Sequence, residues 1–309
     1  MDPNPRTILS ASRRTDIPGA NGAWFMDGIR RGEFSVTNPF NRKTRQVDAR
    51  VETLHAIVFW SKNYGPFLEM GAVDELMDMG HHLFFNFTLN TPDTLLEPGL
   101  PPLEDRLAQA KALTRLTGPR ALAWRFDPIC FYRHGDGPRQ HNLGAFLPLA
   151  DAMAELGVDT CITSFYDAYA KVDRRIGYLN KQGNPALRFE SPSTTEKEEI
   201  LQRMADQLAD RGINLHLCCE RTLLDRLILK GIAVAPGNCI NGHRLRELYG
   251  GTPDIKKDRG QRAAQGCSCT QSVDIGSYEA HPCPHNCLFC YAHTGLDVRM
   301  KQEGKQRKT

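Results

Sequence analysis

Three cysteines lie within eight consecutive residues near the C-terminal end of the sequence. Cys283, Cys287 and Cys290 belong to the stretch CPHNCLFC, residues 283–290. This C-x3-C-x2-C spacing places three soft thiol ligands on one short loop, where they can converge on one metal centre. A cube of four irons held by three thiolates keeps one iron open to another ligand. We therefore expect an iron-sulfur cluster on this loop, with chemistry at its open iron.

Zinc is the alternative metal for this loop, because tetrahedral zinc is also bound by cysteine and histidine. His281, His285 and His293 lie close to the three cysteines. Structural zinc sites, however, usually consist of two separated pairs of ligands, whereas this loop carries three closely spaced thiols. Cysteines that only fill space in a core have no reason to cluster at this spacing. The spacing thus favours a cluster over zinc, and either metal over ordinary buried thiols.

The cysteine pattern, with Phe289 in its last gap and Tyr291 directly after it, resembles the signature of the radical S-adenosylmethionine (SAM) superfamily. The resemblance implies that Cys283, Cys287 and Cys290 hold a [4Fe-4S] cluster whose fourth iron binds the amino and carboxylate groups of SAM. One electron from the cluster would then cleave SAM to methionine and a 5'-deoxyadenosyl radical. Two features depart from the superfamily pattern. In the superfamily the cysteine loop ordinarily follows the first strand, whereas here it lies near the C-terminal end of the sequence. A Gly-Gly-Glu-like stretch ordinarily follows the second strand, and none is found here.

The whole chain also resembles a family of bacterial proteins catalogued only as a domain of unknown function. The matching stretches run from one end of the sequence to the other: Ser10 to Pro18, Phe59 to Asn63, Arg125 to Ile129 and Ser272 to Gly276. The same resemblance places the cysteine loop at the C-terminal end of the family's sequence. It implies no substrate.

A second group of cysteines lies outside the loop: Cys218, Cys239, Cys267 and Cys269. Four thiols can hold another cluster or form a closed zinc site, but these are scattered and need the fold to bring them together. A second metal centre and no centre at all are equally good interpretations of this group. Cys130 and Cys161 stand alone on predicted strands, where packing is the simpler interpretation.

Strand-like and helical segments alternate along the first 236 residues. Seven runs rich in β-branched and aromatic residues predict strands: Ile8 to Ala11, Ala56 to Trp60, Leu83 to Leu89, Ala121 to Phe126, Asp159 to Phe165, Asn214 to Cys219 and Ile232 to Ala235. Ser193 to Arg211 is the best helical pattern, with Ser193 and Glu196 as a capping box. Glycines such as Gly157 and Gly212 precede strands, as left-handed helix C-caps do.

This alternation predicts an α/β fold, a complete or partial TIM-like (β/α) barrel over residues 1–236. Residues 237–300 would form a cysteine-rich, metal-binding cap on the barrel mouth, and residues 301–309 a disordered tail. Two segments interrupt the alternation. Residues 33–50 predict a hairpin, and residues 166–192 an insertion that is either a lid over the mouth or a solvated surface excursion.

Active sites of parallel barrels lie at the carboxyl ends of the strands, and alternation along a strand decides which side chains point inward. This rule sends Arg125 and Asp127 inward, together with His216, Cys218 and Glu220, whereas Cys219 should pack. The candidate catalytic residues are Arg14, Asp16, Lys62, Arg125 and Asp127. The candidate cofactor-binding residues are Asn86, Ser164 and Glu220. Arginine suits bidentate contacts with the carboxylate of SAM or with a polar substrate. In an equally good interpretation, Arg14 with Asp16 and Arg125 with Asp127 form salt bridges that anchor loops.

Composition limits the class of protein. Apolar residues make up 40% and charged residues 24% of 309 residues, which is ordinary for a globular enzyme. A net charge of +3 is too weak to indicate nucleic acid or membrane as a partner. The sequence shows neither a membrane-spanning run nor an N-terminal signal, so we expect a cytoplasmic protein whose cysteines are reduced or metal-bound.

Three functions remain open. The first is a radical SAM enzyme that acts on a small-molecule or unknown substrate and takes its electron from a reductant such as a flavodoxin or ferredoxin. The second is an iron-sulfur protein that only transfers electrons or senses redox state. The third is a zinc-dependent hydrolase on a TIM-like barrel, with a metal-bound water as nucleophile.

Overall fold

The computed structural model describes residues 5–37, 42–182, 186–260 and 262–292. Residues 38–41 of the predicted hairpin, His293, the end of the predicted cap and the predicted tail lie outside these ranges. Within them the strands are β1 (Thr7–Ala11), β2 (Glu33–Thr37), β3 (Thr44–Asp48), β4 (Leu54–Ser61), β5 (Leu83–Thr88), β6 (Leu122–Ile129), β7 (Phe131–His134), β8 (Gln140–His141), β9 (Thr160–Phe165), β10 (Leu187–Glu190), β11 (Asn214–Leu217), β12 (Val234–Pro236) and β13 (Val273–Asp274).

The helices in the same ranges are α1 (Ile17–Ala20), α2 (Gly22–Arg31), α3 (Gly65–Glu69), α4 (Ala72–Asp78), α5 (Leu103–Thr117), α6 (Phe146–Glu155), α7 (Ala170–Lys181), α8 (Thr194–Ala209), α9 (Arg221–Leu229) and α10 (Gly242–Tyr249). The predicted capping of α8 is confirmed, because the Ser193 side chain accepts a hydrogen bond from the Glu196 N–H. Gly157 and Gly212 have φ angles of 75° and 68°, as left-handed caps require. None of the helices within the described ranges is both long and apolar enough to cross a membrane.

Eight strands form one parallel sheet in the order β12-β11-β9-β6-β5-β4-β1-β13. Each of the seven predicted strands overlaps a strand of this sheet, so the predicted α/β class is confirmed. Seven strands stand in chain order across the sheet, as expected for strands joined by crossover helices. The eighth, β13, was not predicted as a strand. It pairs with β1 through the register Leu9 to Val273 and Ser10 to Asp274.

The two faces of the sheet carry different cores. On one face, alternate residues such as Leu9, Phe59 and Trp124 pack beneath the helices in the main hydrophobic core. On the other face, residues such as Val58 and Ile162 pack against the segment that follows β12. We call this second face the inner face. It is the face on which the sequence alternation placed the polar candidates.

Residues 237–260 and 262–292 run from the amino ends of the strands to their carboxyl ends on the side of the inner face. At the amino ends, α10 is fixed by Arg244, which bonds Asp159 at 2.6 Å, and by Tyr249, whose hydroxyl donates to the Leu83 carbonyl at 2.5 Å. At the carboxyl ends the chain forms the cysteine loop, residues 283–290. The inner face is therefore closed at one end by α10 and bordered at the other by cysteines.

The described parts of the two interrupting segments contain regular secondary structure. Strands β2 and β3 pair antiparallel with Glu33 opposite Asp48, which confirms the predicted hairpin strands. The insertion at 166–192 contains α7 and β10, and β10 joins a small sheet with β7 and β8. From α7, the Arg175 guanidinium donates to the Cys290 carbonyl at 2.9 Å. The insertion therefore packs on the cysteine loop.

Candidate functional site

The cysteine loop is held at the carboxyl edge of the sheet by backbone contacts. The Leu288 N–H donates to the Leu96 carbonyl at 2.8 Å, and the Gly99 N–H donates to the His285 carbonyl at 3.0 Å. A Cβ at Gly99 would lie 2.7 Å from that carbonyl oxygen, so only glycine allows this approach. The loop is thus positioned by the segment that follows β5.

All three thiols of the cysteine loop line one cavity of about 300 Å³ at the carboxyl edge. Cys287 is buried, and Cys283 and Cys290 are half-buried. Burial raises the pKa of Cys283 to about 12, and burial with the nearby Glu97 charge raises the pKa of Cys287 well above its usual value. The metal-free thiols of Cys283 and Cys287 are therefore protonated at neutral pH. Binding of a metal centre would release these protons.

Asp16 connects the start of the chain with the cysteine loop. Its carboxylate accepts hydrogen bonds from the Gly19 N–H at 2.7 Å, the Ser61 hydroxyl at 2.8 Å and the Lys62 N–H at 3.2 Å. The His285 Nε2 lies 2.8 Å from the same carboxylate. Burial alone would lower the pKa of His285, but the hydrogen bond and charge of Asp16 outweigh it and raise that pKa. Asp16 lines the cavity, and its contacts make it an anchor of the loop.

Lys62 lies beside Cys287 on the cavity wall. Its Nζ is 2.5 Å from the Glu97 carboxylate and 5.3 Å from the centre of the Phe289 ring. Burial lowers the pKa of Lys62, whereas the charges of Glu97 and Cys287 raise it, and the net shift is upward. A fixed positive charge therefore lies next to the predicted cluster ligands.

Arg125, Asp127 and Ser164 form a polar group in the same cavity. Arg125 pairs with Asp127, and the Ser164 hydroxyl donates to the other Asp127 oxygen at 2.5 Å. Burial lowers the pKa of Arg125, but the charges of Cys239 and Asp127 raise it well above its usual value. The three side chains come from two neighbouring strands, β6 and β9. They offer both donors and acceptors to a polar ligand.

Three other candidates lie outside the cavity wall. Arg14 pairs with Asp274 at 3.2 Å, whereas the anchoring interpretation paired it with Asp16. Asn86 is fully buried, and its amide donates to the Cys239 carbonyl at 3.0 Å. Glu220 lies 3.6 Å from Lys197, and burial raises its pKa. The structure therefore does not bring these three side chains together with the cysteine loop.

The second group of cysteines contains five members, because Cys219 joins it. The Cys219 sulfur is 3.6 Å from that of Cys218 and also contacts Cys267. The expectation that Cys219 packs in the core was wrong. Its φ of 58° breaks the strand alternation and turns two successive thiols into the same cavity. The adjacent cysteines in the sequence were the signal that could have identified the pair.

The remaining contacts of the five thiols shift their pKa values in different directions. Hydrogen bonds from Cys218 and Cys269, and the charges of Arg125 and Arg13, lower the pKa of Cys239 well below its usual value. Hydrogen bonds from Cys219 and Cys269 likewise lower the pKa of Cys267. Thiolate character is thus concentrated at Cys239 and Cys267. Within the described ranges, no group of three or more His, Cys, Asp or Glu side chains is arranged to hold a metal ion as it stands.

Sequence reasoning did not identify the cavity residues Arg13 and Arg262, nor Glu97, which contacts Lys62 and Cys287 behind the cavity wall. Glu97 and Arg262 lie in irregular segments without a motif, so no local pattern indicates them. Arg13 follows β1 directly and belongs to a stretch that resembled a family, so its position was the available signal. His285 was considered only as a zinc ligand. In the structure its imidazole is bonded to Asp16.

Comparisons with known proteins give a family. No curated protein matches the chain. Among solved structures, the chain is similar to D-hydantoinase from a Bacillus sp. AR9, at 12% identity and a TM-score of 0.31 over 60% of this chain and 39% of that one. It is also similar to a xylose isomerase domain protein from Planctomyces limnophilus, at 10% identity and a TM-score of 0.25 over 74% of this chain and 73% of that one. A family model described as "Domain of unknown function (DUF1848)" matches residues 8–292. The chain therefore belongs to the DUF1848 family.

Proposed function

We propose that this protein is an iron-sulfur enzyme of the radical SAM type. The observation that supports the proposal most is that the three cysteine-loop thiols share one cavity with polar side chains from the carboxyl ends of several strands. A [4Fe-4S] cluster bound there with SAM would supply the chemistry: one electron from a flavodoxin or ferredoxin breaks the carbon-sulfur bond of SAM and yields methionine and a 5'-deoxyadenosyl radical. The substrate is an unidentified small molecule.

The donor set suits such a cluster. Cys283, Cys287 and Cys290 leave one iron of a cube without a protein ligand. Lys62 and Arg106 lie near Cys287, where positive charge favours the thiolate that a cluster requires. The loop itself is fixed by the segment after β5 and by the insertion.

The proposed roles of the cavity residues follow from their contacts. Arg125, Asp127 and Ser164 bind polar groups of SAM or of the substrate, since they face the cavity from neighbouring strands. Asp16 positions the cysteine loop through His285. The aromatic side chains Trp60 and Phe165 also line the cavity, and they exclude water from the radical.

The fold proposal that accompanies this function is a (β/α) barrel left open between β12 and β13. Seven strands follow one another across the sheet in chain order, whereas a doubly wound sheet reverses direction at a switch point. In a barrel, the carboxyl ends of the strands surround the active site. The cavity and the cysteine loop both lie at that end.

Anaerobic purification and single-turnover assays test the proposal. The protein should be brown, absorb near ~400 nm and form 5'-deoxyadenosine when reduced with dithionite in the presence of SAM. Replacement of Cys287 by Ala should abolish that product. The control Cys161→Ala should retain it, because Cys161 packs in the helix-side core. Iron without any 5'-deoxyadenosine would indicate an electron carrier, zinc in place of iron would indicate a hydrolase, and either result would refute the enzyme proposed here.

A further inference from the structure

Five thiols outside the cysteine loop meet on the inner face of the sheet. Cys218 contacts Cys219 and Cys239, Cys239 contacts Cys269, and Cys267 contacts both Cys269 and Cys219. Each sulfur therefore has two sulfur neighbours, and the five form a closed ring. All five line the cavity that the cysteine loop also lines. We call them the thiol ring.

Backbone contacts build the thiol ring from three separate stretches of chain. Gly237 passes so close to Cys218 that an added Cβ would lie 2.8 Å from the Cys218 nitrogen. The Ile240 N–H points to the Cys269 sulfur at 3.5 Å, and the Thr270 N–H donates to the Ile240 carbonyl at 3.0 Å. The Asp258 N–H donates to the Cys269 carbonyl at 2.9 Å. The ring is thus a positioned set of side chains.

Three arginines surround the thiol ring. The Arg125 Nη1 donates to the Cys239 sulfur at 2.7 Å. Arg13 lies near Cys239 and Cys269, and Arg262 lies near Cys219. Arg125, Arg13 and Arg262 also bond Asp127, Asp258 and Asp167 respectively, which holds each guanidinium in place. Cysteines that only pack need no such surroundings, whereas neighbouring guanidinium groups stabilise the thiolates that a metal centre requires.

Two of these arginines have unused hydrogen-bonding capacity. The Nε atoms of Arg13 and Arg125 are buried and have no hydrogen-bond partner among the described residues. Buried donors in native proteins are generally satisfied, so an orphan donor beside a ligand set indicates a missing group. The sulfur atoms of an iron-sulfur cluster accept hydrogen bonds, and those bonds adjust its reduction potential.

We propose that the thiol ring binds a second iron-sulfur cluster, of the [4Fe-4S] type, with four of its five cysteines as ligands. Four thiolates complete a cube, in contrast to the three of the cysteine loop. Tetrahedral zinc also takes four thiolates, but it brings no inorganic sulfides, which in a cluster are additional hydrogen-bond acceptors. The arginine donors and the position on a shared cavity wall therefore favour the cluster. This inference does not depend on the reaction proposed for the cysteine loop.

Iron and sulfide analysis of anaerobically reconstituted protein tests the two centres separately. Wild-type protein should contain about eight irons and eight sulfides per chain. The triple variant Cys283→Ala/Cys287→Ala/Cys290→Ala should retain about four of each, with absorbance near ~400 nm and an electron paramagnetic resonance signal after reduction. The thiol ring is intact in this variant, so the test does not depend on whether ring variants fold.

The reciprocal variant changes two members of the ring, since a fifth thiol can replace a single lost ligand. Cys239→Ser/Cys269→Ser should contain about four irons, and Cys161→Ser, outside both sets, about eight. A triple variant without iron would overturn the inference, as would zinc bound to the ring. If instead the loop holds no cluster, the wild type and the triple variant will both contain about four irons, which contradicts the proposed function and leaves the second cluster in place.

Discussion

Replacement of Asp16 by Asn should loosen the cysteine loop and expose Cys287. The carboxylate of Asp16 is the only described partner of the His285 Nε2, at 2.8 Å, and a hydrogen bond to a charged group contributes about 1.5 to 3 kcal/mol. Opening of the loop should become more favourable by this amount. Since 1.4 kcal/mol corresponds to a factor of ten, the opening equilibrium should increase by about 10- to 150-fold.

Thiol labelling of the native, metal-free chain measures this equilibrium. Cys287 is 5% exposed, so a thiol reagent reaches it only when the loop opens, and mass spectrometry resolves the labelling rate of each cysteine. Asp16→Asn should accelerate labelling of Cys287 by the factor given above and leave Cys161 unchanged. The matched control Asp151→Asn removes an exposed ion pair with Arg211, so its effect should be below about twofold.

A second variant decides whether the effect passes through His285. His285→Gln should accelerate Cys287 labelling by itself, and the double variant with Asp16→Asn should be little faster than the faster single variant. Wild-type labelling in Asp16→Asn would refute the anchoring role of Asp16. Multiplication of the two single effects in the double variant would show that the two side chains act independently.

Two further predictions concern stability. Gly99→Ala should destabilise the fold by about 1 to 3 kcal/mol, because the added Cβ meets the backbone of the cysteine loop. The control Gly177→Ala, on an open helical site, should be neutral or stabilising in thermal unfolding. Equal melting temperatures of the two variants would contradict this prediction. Hydrogen bonds from Arg226 and Lys230 lower the pKa of Glu198 to about 2, so its stabilising effect is present above its unfolded pKa and is lost as pH falls through about 2. The difference in urea midpoint between wild type and Glu198→Gln should therefore shrink between pH 6 and pH 2.5, and a constant difference would exclude the mechanism.

The sheet was predictable because its strands carry their own signal. Runs such as Ala56 to Trp60 are apolar on both faces and are followed by polar turn residues, as buried parallel strands are. Strand β13 was not predicted, because its pairing is decided by tertiary contacts. The Asp274 carboxylate accepts hydrogen bonds from the Ser10 and Ser12 hydroxyls and from the Arg13 N–H, and no local periodicity reveals that partnership.

Alternation along the strands was also informative for the site. It placed Arg125 and Asp127 on the inner face, and both line the cavity. It could not describe residues beyond the strand ends, where the backbone leaves the extended conformation. Cys219 is such a residue, and Arg14 is another, because it turns away to Asp274. The contact between Asp16 and His285 spans 269 positions, so only the folded chain discloses it.

The pairing of β1 with β13 has a consequence for synthesis of the protein on the ribosome. Strand β1 is translated before the other strands of its sheet, yet one of its two neighbours lies more than 260 positions later, from Leu9 to Val273. Until that neighbour is translated, one side of β1 exposes unsatisfied amide and carbonyl groups, a state that invites association with other chains. Such distant pairing also slows folding, since the ends of a long segment must meet first. A nascent chain of this protein therefore carries an open strand edge until translation has passed residue 274.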